Sequence, residues 1–345
     1  MFIRNCWYVA AWDHEVPAEG LFARKLLGDP VLLYRDSKGR AVAMEDRCCH
    51  RAAPLSIGRK EGDCVRCMYH GMVFDPSGIC VEIPGQETIP AQARVRTYPV
   101  VERNRFVWIW MGDPMLANPD DILDFFWHDS PDWRYKPGYL HYDAAYELIV
   151  DNLLDFSHLS FVHPNTLGTS ANAAVRPKIE HRDGGLRISH WHADIEMPPN
   201  HKRVAPFSGR VDRWQVYTWD LPAILRMDAG SQPTGYAPAD GERAPNAIKF
   251  RHTSVQTPET ESTAHYWFCQ ARNFALDDDA MTEAIYNDVI TAFEEDRTMI
   301  EAQQRIIAAT PGRKMVAIAA DAGLNQARGL IQRRLREEQG GREAA

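Results

Sequence analysis

Two short segments of this 345-residue chain each place a cysteine and a histidine close together. Cys48 and His50 have C-x-H spacing, and Cys67 and His70 have C-x2-H spacing. Two thiolates and two imidazoles in this order can hold a [2Fe–2S] cluster, with both cysteines on one iron and both histidines on the other. Because imidazoles are neutral ligands, such a cluster has a raised reduction potential and accepts electrons readily. The four residues therefore predict an electron-transfer centre.

A structural zinc site is the main alternative for this segment. Zinc also binds two cysteines with two histidines, or four cysteines. Cys49 and Cys64 would complete an all-cysteine set with Cys48 and Cys67, because Cys64 and Cys67 have C-x2-C spacing. The alternation of cysteine and histidine in both halves favours the cluster over zinc, since zinc fingers usually have longer spacing within each ligand pair.

A second group of metal-binding residue types lies in the stretch 146–164, which has helical periodicity. Asn152, Asp155 and His158 are three residues apart and so occupy neighbouring positions on one helix face. His158 and His163, however, would point about 140° apart on a regular helix. Both imidazoles can face one ion only if the helix widens between them or loosens at its end.

A later helix, predicted over 281–307, offers a carboxylate that can complete this site. Its apolar positions form one stripe: Ile285, Val289, Ala292, Phe293, Met299 and Ile300. Asp296 falls near the middle of the stripe, and a buried carboxylate requires a cation. Arg297 is one candidate for that cation, and a metal ion is the other. With His158 and His163, Asp296 forms the two-histidine, one-carboxylate set that holds Fe(II) and leaves positions open for dioxygen.

Both motifs resemble those of the Rieske non-haem iron oxygenases. The cluster segment matches the C-x-H…C-x2-H pattern of that family, with Cys49 where most members have proline. The second segment matches the family motif N/D-x2-D-x2-H-x4-H, and Asp296 matches its later aspartate. The stretches 5–10 and 83–86 are similar to the branch that contains vanillate O-demethylase, dicamba monooxygenase and toluenesulfonate methyl-monooxygenase.

The resemblance implies the terminal oxygenase component of a multicomponent monooxygenase. Such a component hydroxylates a methyl or methoxy substituent of an aromatic acid with O2. Its electrons come from NAD(P)H through a separate flavin/iron–sulfur reductase, and no nucleotide-binding glycine fingerprint is visible here. The resemblance also implies a homotrimer in which Asp155 connects a cluster histidine of one subunit to His158 of the next. Asn152 and Asp155 are thus expected to have catalytic roles.

Three other functions are compatible with parts of the sequence. A non-catalytic Rieske electron carrier would need the cluster residues alone, and the Asp155, His158, His163 and Asp296 set speaks against it. A binding protein stabilised by a zinc ion would contain no acid-labile sulfide. An oxygenase that hydroxylates an aromatic ring of a different substrate would share both metal sites.

The elements around these residues predict an α+β protein of two domains. Short strands separated by glycine and proline turns indicate an all-β Rieske [2Fe–2S] domain over 1–130. Longer strands between 175 and 275, together with the two helical stretches, indicate a catalytic domain of antiparallel sheet covered by helices over 131–345. The segments 164–176 and 228–246 are expected to be loops. The tail after Leu335 is expected to fray.

Two residues in the predicted strands are candidates for contact with a substrate. His252 shares the apolar face of its strand with Ile248 and Phe250, because alternate residues of a strand point to the same side. Arg226 lies between Leu225 and Met227 and is a candidate partner for an anionic group.

Composition excludes several classes of function. The net charge of −8, without a basic stripe, predicts no nucleic-acid partner. The sequence has no apolar run long enough to span a membrane, and its first residues lack the layout of a signal peptide. An odd number of cysteines, seven, with four of them inside residues 48–67, indicates metal ligation in a reducing compartment rather than disulfides. We therefore expect a cytoplasmic protein.

Overall fold

The structure is a computed structural model that describes residues 1–163, 178–238 and 241–343. The chain divides into two compact units. Their bounds are Met1–Asp124 with Thr257–Glu261 for unit 1, and Phe125–Gln256 with Ser262–Ala345 for unit 2. The boundary predicted from the sequence is at residue 130, and nothing in the sequence predicts that Thr257–Glu261 belongs to unit 1.

Unit 1 is built from short antiparallel strands. These are β1 (Trp7–Trp12), β2 (Phe22–Leu26), β3 (Asp29–Arg35), β4 (Ala41–Glu45), β5 (Arg59–Glu61), β6 (Cys64–Arg66), β7 (Val73–Phe74), β8 (Cys80–Glu82), β9 (Thr97–Tyr98), β10 (Val100–Arg103) and β11 (Phe106–Trp110). They form three sheets with the orders β1-β11-β10, β2-β3-β4-β9 and β5-β6-β7-β8. The first Cys–His segment follows β4, and the second lies between β6 and β7.

Strand β3 joins the two hydrophobic cores of unit 1. Successive side chains of a strand point to opposite faces, so Val31 and Leu33 enter one core while Leu32 and Tyr34 enter the other. Burying each such aliphatic side chain contributes roughly 1.5–3 kcal/mol. The second core also contains Cys48 and Cys67, so the ends of both Cys–His segments are anchored in packed apolar side chains.

Unit 2 contains a seven-stranded antiparallel sheet. Its strands are β12 (Gly138–Tyr142), β13 (Lys178–Arg182), β14 (Gly185–Glu196), β15 (Arg210–Asp220), β16 (Ile224–Pro233), β17 (Ile248–Thr260) and β18 (Thr263–Arg272), in the order β12-β18-β17-β16-β15-β14-β13. In the register of the central strands, Tyr217 lies opposite Met227, and Met227 lies opposite His252. Residues paired in this way share one face of the sheet.

Short 3-10 helices occur in both units, whereas the α-helices that the structure describes belong to unit 2. They are α1 (Tyr146–Leu154), α2 (Leu159–Val162), α3 (Pro199–Lys202), α4 (Asp279–Ala309) and α5 (Ala322–Glu343), and short 3-10 turns occupy Asp13–Glu15, Pro114–Leu116, Pro119–Asp121, Phe126–His128 and Ala319–Asp321. Asp278 is the N-cap residue of α4, and its carboxylate accepts a hydrogen bond from the backbone N–H of Met281 at 2.8 Å. Phe293 of α4 packs edge-to-face against Phe268 of β18, with ring centroids 4.9 Å apart. Helix α4 therefore covers one face of the sheet.

The predicted fold class is confirmed: an all-β domain precedes an antiparallel sheet with helices. Two local expectations are wrong. The segment 228–246 begins as strand, because Gly230 leaves room for the ring of Trp214 and belongs to β16. Helix α5 is anchored by Ala327, Ile331 and Leu335, which lie four residues apart and are buried, and it continues beyond Leu335 to Glu343. The expected loop 164–176 lies outside the described residues.

Within the described part of the chain, no helix has both the length and the apolar character needed to cross a membrane.

Candidate metal centres

The two Cys–His segments have the same backbone hydrogen-bond scheme. In the first, the N–H of Cys48 donates to the carbonyl of Ala53 at 2.8 Å, and the N–H of Ala52 donates back to the carbonyl of Cys48 at 3.0 Å. In the second, Cys67 donates to Met72 at 2.8 Å and accepts from Gly71 at 2.9 Å. Each cysteine thus begins a closed turn of equal size. Such a turn holds its thiol in the core and presents the following histidine at its tip.

The four side chains are arranged as the two irons of a cluster require. The thiols of Cys48 and Cys67 are buried and lie within hydrogen-bonding contact of each other. His50 and His70 are exposed, and their ring centroids are 4.6 Å apart. Burial raises the pKa of the Cys48 thiol to about 11, so this thiol keeps its proton until a metal replaces it. Two inner thiols and two outer imidazoles fit a [2Fe–2S] cluster.

The all-cysteine alternative does not fit this arrangement. Cys64 is half-buried, and its charged neighbours are Asp75, Asp63 and Glu61. Burial and these carboxylates raise the pKa of the Cys64 thiol. Burial also raises the pKa of the Cys48 thiol, but the charged groups that act on Cys48 are cysteines and not carboxylates. The acidic neighbours therefore make Cys64 the poorer thiolate ligand.

Replacing one cysteine at a time distinguishes the two ligand sets. We expect Cys67→Ser to abolish the visible absorbance and the electron paramagnetic resonance signal of the reduced cluster. Cys64→Ser, its matched control on the neighbouring strand, should leave both unchanged. Loss of the signal in Cys64→Ser with retention in Cys67→Ser would contradict the proposed ligands.

A break in the helical stretch 146–164 brings its two histidines together. Helix α1 ends at Leu154, and Asp155 has extended backbone angles of φ −104° and ψ 112°. His158 then precedes α2 and His163 follows it. The expected widening between the two histidines is therefore replaced by a short separate helix. Their ring centroids lie 5.3 Å apart, so both imidazoles face the same point.

Asp296 of α4 completes this group. Its Oδ1 atom lies 3.0 Å from Nε2 of His163 and 3.5 Å from Nε2 of His158. One donor atom from each of the three residues lies within 4.8 Å of the other two. Asp296 is only 4% exposed. The structure thus brings together the three residues that the sequence analysis assigned to one metal ion, on two separate elements of unit 2.

Neighbouring acceptors orient both imidazoles toward the shared point. The Nδ1 atom of His163 lies 2.8 Å from Oε2 of Glu295, and Nδ1 of His158 bonds to the backbone carbonyl of Asp155. Each acceptor keeps the proton on Nδ1 and leaves the Nε2 lone pair for a metal. The buried Nε2 atom of His163 lies 3.0 Å from Oδ1 of Asp296, but it makes no well-aligned hydrogen bond among the described residues. An imidazole nitrogen and a carboxylate oxygen at this separation fit two ligands of one metal ion.

Charges around the site affect the two histidines differently. Burial lowers the pKa of His158. Burial acts on His163 in the same direction, but the carboxylates of Asp296 and Glu295 outweigh it and raise its pKa. The arginine that the sequence offered as the partner of Asp296 is engaged elsewhere, since Arg297 pairs with Glu294 at 2.5 Å. A bound cation would neutralise the buried carboxylate of Asp296.

The two residues with expected catalytic roles lie beside the site. The side-chain amide of Asn152 donates to Oδ1 of Asp296 at 2.9 Å. The carboxylate of Asp155 accepts hydrogen bonds at 2.7 Å from both the backbone N–H and the hydroxyl of Ser157. Within one chain, the carbonyl of Asp155 rather than its carboxylate therefore contacts His158.

A cavity of about 390 Å³ opens beside the metal-binding group in unit 2. Its lining includes the sheet residues Gln215, Tyr217, Leu225, Met227, Ala229, Phe250 and His252. His252, a predicted substrate contact, lies on the cavity wall. Its two ring nitrogens are bonded to Gln270 at 2.9 Å and Ser254 at 2.8 Å, and burial lowers its pKa to about 4. His252 is therefore a neutral wall residue.

Arg226, the other predicted substrate contact, is not among the described residues that line the cavity. Leu225 and Met227 face the cavity, so Arg226 between them must point to the opposite side of the sheet. There its guanidinium donates to the carboxylate of Asp220 at 2.9 Å. The expectation that Arg226 contacts a substrate is corrected on this ground.

Two residues at the site were not predicted from the sequence: Glu295, which contacts His163, and Arg213, which lines the cavity. Glu295 could have been found from its position next to Asp296. Of two adjacent carboxylates, one can bind a metal while the other holds the ring of a ligating histidine. Arg213 lines the cavity on β15. In the sequence Arg213 lies between Asp212 and Trp214, and no periodicity of its neighbours distinguishes it from a surface arginine.

Comparison with known proteins agrees with both centres. A model of the Rieske [2Fe–2S] domain matches residues 6–99, and a model of the vanillate O-demethylase oxygenase C-terminal domain matches residues 142–337. The chain therefore belongs to the Rieske-type oxygenase components that carry this C-terminal domain, and the predicted family and enzyme class are confirmed.

Relatives are similar along nearly the whole chain. The iron–sulfur subunit of the toluene-4-sulfonate monooxygenase system of Comamonas testosteroni is 66% identical over 345 residues, 99% of each chain. The vanillate O-demethylase oxygenase subunit of a Pseudomonas species (strain HR199) is 34% identical over 355 residues, 100% of this chain and 98% of that one. A crystal structure of dicamba monooxygenase bound to 3,6-dichlorosalicylic acid superposes with a TM-score of 0.90, at 33% identity and coverage of 98% and 99%. Another structure of that enzyme holds non-haem iron and dicamba.

The contact between Glu295 and His163 generates a test of the mononuclear site. We expect Glu295→Ala to lower Fe(II) affinity by about 10- to 100-fold, because an imidazole without its Nδ1 acceptor is a weaker and less ordered ligand. Iron bound in excess of acid-labile sulfide, measured during Fe(II) titration, reports this affinity. The control is Glu294→Ala, which removes the adjacent, more exposed carboxylate. Equal Fe(II) affinities for the two variants would rule out the role of Glu295.

Proposed function

We propose that this chain is the terminal oxygenase component that hydroxylates a methyl or methoxy substituent of an aromatic acid. The observation that carries the proposal is the His158, His163 and Asp296 group at the wall of a largely apolar cavity, in a chain that also has a Rieske domain. Electron transfer alone requires no such cavity and no second metal site. The combination therefore supports catalysis over a non-catalytic carrier.

In this proposal each group of residues has one task. Cys48 and Cys67 would hold one iron of the [2Fe–2S] cluster, and His50 and His70 would hold the other. His158, His163 and Asp296 would hold the mononuclear iron, and all three line the cavity. When bound, the cluster supplies single electrons and the mononuclear iron supplies the site at which dioxygen is activated.

The remaining residues of the site position the ligands and exclude water. Asn152 donates to Asp296 and fixes the carboxylate oxygen that faces the two imidazoles. Phe156 closes the cavity beside the metal-binding group and packs on Tyr217 with ring centroids 4.2 Å apart. An apolar wall near the metal prevents water from competing with substrate and dioxygen.

The substrate class follows from the relatives and from the cavity. The relatives are named for toluene-4-sulfonate and vanillate, and dicamba monooxygenase binds 3,6-dichlorosalicylic acid. A cavity of about 390 Å³ lies in the range of roughly 300–1,000 Å³ that is typical of small-molecule sites. One oxygen atom of O2 enters the C–H bond, and the other leaves as water. A methyl group gives a benzylic alcohol, whereas a methoxy group gives a hemiacetal that loses formaldehyde.

The proposed partners follow from the same class. NAD(P)H delivers electrons through a separate flavin/iron–sulfur reductase, and three copies of the chain form a homotrimer. The odd number of cysteines, with four of the seven inside residues 48–67, supports a reducing, cytoplasmic location. We also propose that residues 1–130 act as the Rieske domain and 131–345 as the catalytic domain.

Substitution of the metal-binding carboxylate tests the proposed oxygenase function. Asp296→Ala should keep the cluster spectrum while hydroxylation of toluene-4-sulfonate and of methoxybenzoates falls to below about 1% of the wild-type rate. Product and formaldehyde are measured with a reconstituted reductase. Asp279→Ala, in the exposed first turn of the same helix, is the control. Oxidation that persists in Asp296→Ala would contradict the proposed site, and a wild-type protein without any product would contradict the proposed function.

Asp155 is proposed to link the cluster of one subunit to His158 of the next. Asp155→Asn should retain both metals, because the backbone carbonyl that contacts His158 is unchanged. Reoxidation of the reduced cluster by substrate and dioxygen, followed by its visible absorbance, should slow by at least about 100-fold. A variant that reoxidises at the wild-type rate would exclude this link.

A further inference from the structure

The cavity wall formed by the sheet carries an arginine that has no anionic partner. Arg213, Gln215 and Tyr217 alternate along β15, so their side chains share the face that lines the cavity. Arg213 is 8% exposed, and its buried Nε atom has no hydrogen-bond partner. No carboxylate among the described residues pairs with its guanidinium.

The other charged residues of the cavity lining are occupied. Arg203 pairs with Asp288. The carboxylate of Asp278 caps α4 by accepting from the N–H of Met281. Asp296 belongs to the metal-binding group. Within the described lining, Arg213 is therefore the cation whose charge remains uncompensated.

The nearest acidic residue in sequence, Asp212, points away from Arg213. Its carboxylate accepts hydrogen bonds from the backbone N–H groups of Asp194 at 2.9 Å and Gly235 at 3.0 Å, and from the hydroxyl of Thr234 at 3.1 Å. Neighbouring residues of a strand face opposite sides of the sheet, so Asp212 cannot neutralise Arg213. A buried guanidinium without a carboxylate is costly unless a ligand supplies the negative charge.

The histidines around Arg213 are polar but uncharged at neutral pH. His192 lies directly opposite Arg213 on β14, and His190 lies opposite Gln215. Burial, and then the charge of His192 and Arg213, lowers the pKa of His190 to about 4. Burial and the charge of Arg213 also lower the pKa values of His192 and His201. At neutral pH, Arg213 therefore carries a positive charge beside neutral imidazoles, of which that of His201 also lines the cavity.

The cavity thus has two chemically distinct sides. The metal-binding group comes from the two ends of α2 and from α4, whereas Arg213 comes from the central strand β15 of the sheet. Apolar side chains of Leu225, Met227 and Phe250 lie on the same sheet face as Arg213. A flat aromatic ring fits such a wall, with an acid group at one end and an alkyl or methoxy substituent at the other.

We propose that Arg213 binds the acid group of the substrate and makes the enzyme selective for anionic aromatic compounds. This inference rests on the proposed function and adds the residue that recognises the acid. A guanidinium donates two parallel hydrogen bonds to a carboxylate or to two oxygens of a sulfonate. The contact at Arg213 holds the ring so that its substituent faces the metal-binding group.

Binding of a charged ligand and its neutral analogue tests the proposal without requiring turnover. Toluene-4-sulfonate and toluene-4-sulfonamide have nearly the same shape, but only the sulfonate is an anion at neutral pH. Their affinities are measured by calorimetric titration of the anaerobic, metal-loaded protein. Arg213→Gln should weaken sulfonate binding by roughly 100-fold and leave sulfonamide binding within about 3-fold of wild type. The control is Arg187→Gln, which removes an exposed arginine of β14 that pairs with Glu180.

Arg213→Lys provides a second variant, which keeps the charge but loses the paired donors. It should bind the sulfonate about 10-fold more weakly than wild type and the sulfonamide equally well. If Arg213→Gln does not retain the cluster spectrum, this variant decides. Sulfonate affinity that is unchanged in the folded variants would overturn the role of Arg213 and leave the proposed function intact. A wild-type protein that binds neither toluene-4-sulfonate nor 4-methylbenzoate would overturn the proposed substrate class as well.

Discussion

A carboxylate on the buried face of a helix is stable only where donors or cations surround it, and this constraint shapes unit 2 around Asp296. Helix α4 presents the carboxylate toward the sheet, where two imidazoles and the amide of Asn152 meet it. Both imidazoles reach the same oxygen because the chain leaves helical geometry at Asp155 and forms α2 between them. The cavity, its lining and the ligand geometry all depend on this meeting of three elements.

Much of this arrangement could be predicted from residue types and spacing. The apolar stripe of the helix placed Asp296 on its buried face, and the structure has Val289, Phe293 and Ile300 buried on the same face. The cysteine and histidine spacing placed one ligand pair in each of two turns. Strand alternation placed His252 on the apolar face, which is the cavity wall. Each of these inferences uses a local periodicity, which the chain keeps when it folds.

What could not be predicted depends on contacts between residues far apart in the sequence. The position of the helix break and the pairing of Glu295 with His163 arise only when α2 packs against α4. Strand β16 shows how a local inference can fail. Arg226 was expected to contact a substrate because its neighbours are apolar, but Leu225 and Met227 face the cavity, so Arg226 points to the opposite side of the sheet. Arg213 is distinguished only in the folded protein, where it is buried and no carboxylate of the described residues pairs with it.

The central claim is that one polypeptide holds two iron sites of different kinds. Iron and acid-labile sulfide can be measured together on fully loaded protein, with Mössbauer spectroscopy to separate the iron environments. The account predicts about three iron atoms for every two sulfides, with a mononuclear environment beside the two irons of a His-ligated cluster. About one iron atom per sulfide, without a mononuclear environment, would contradict it.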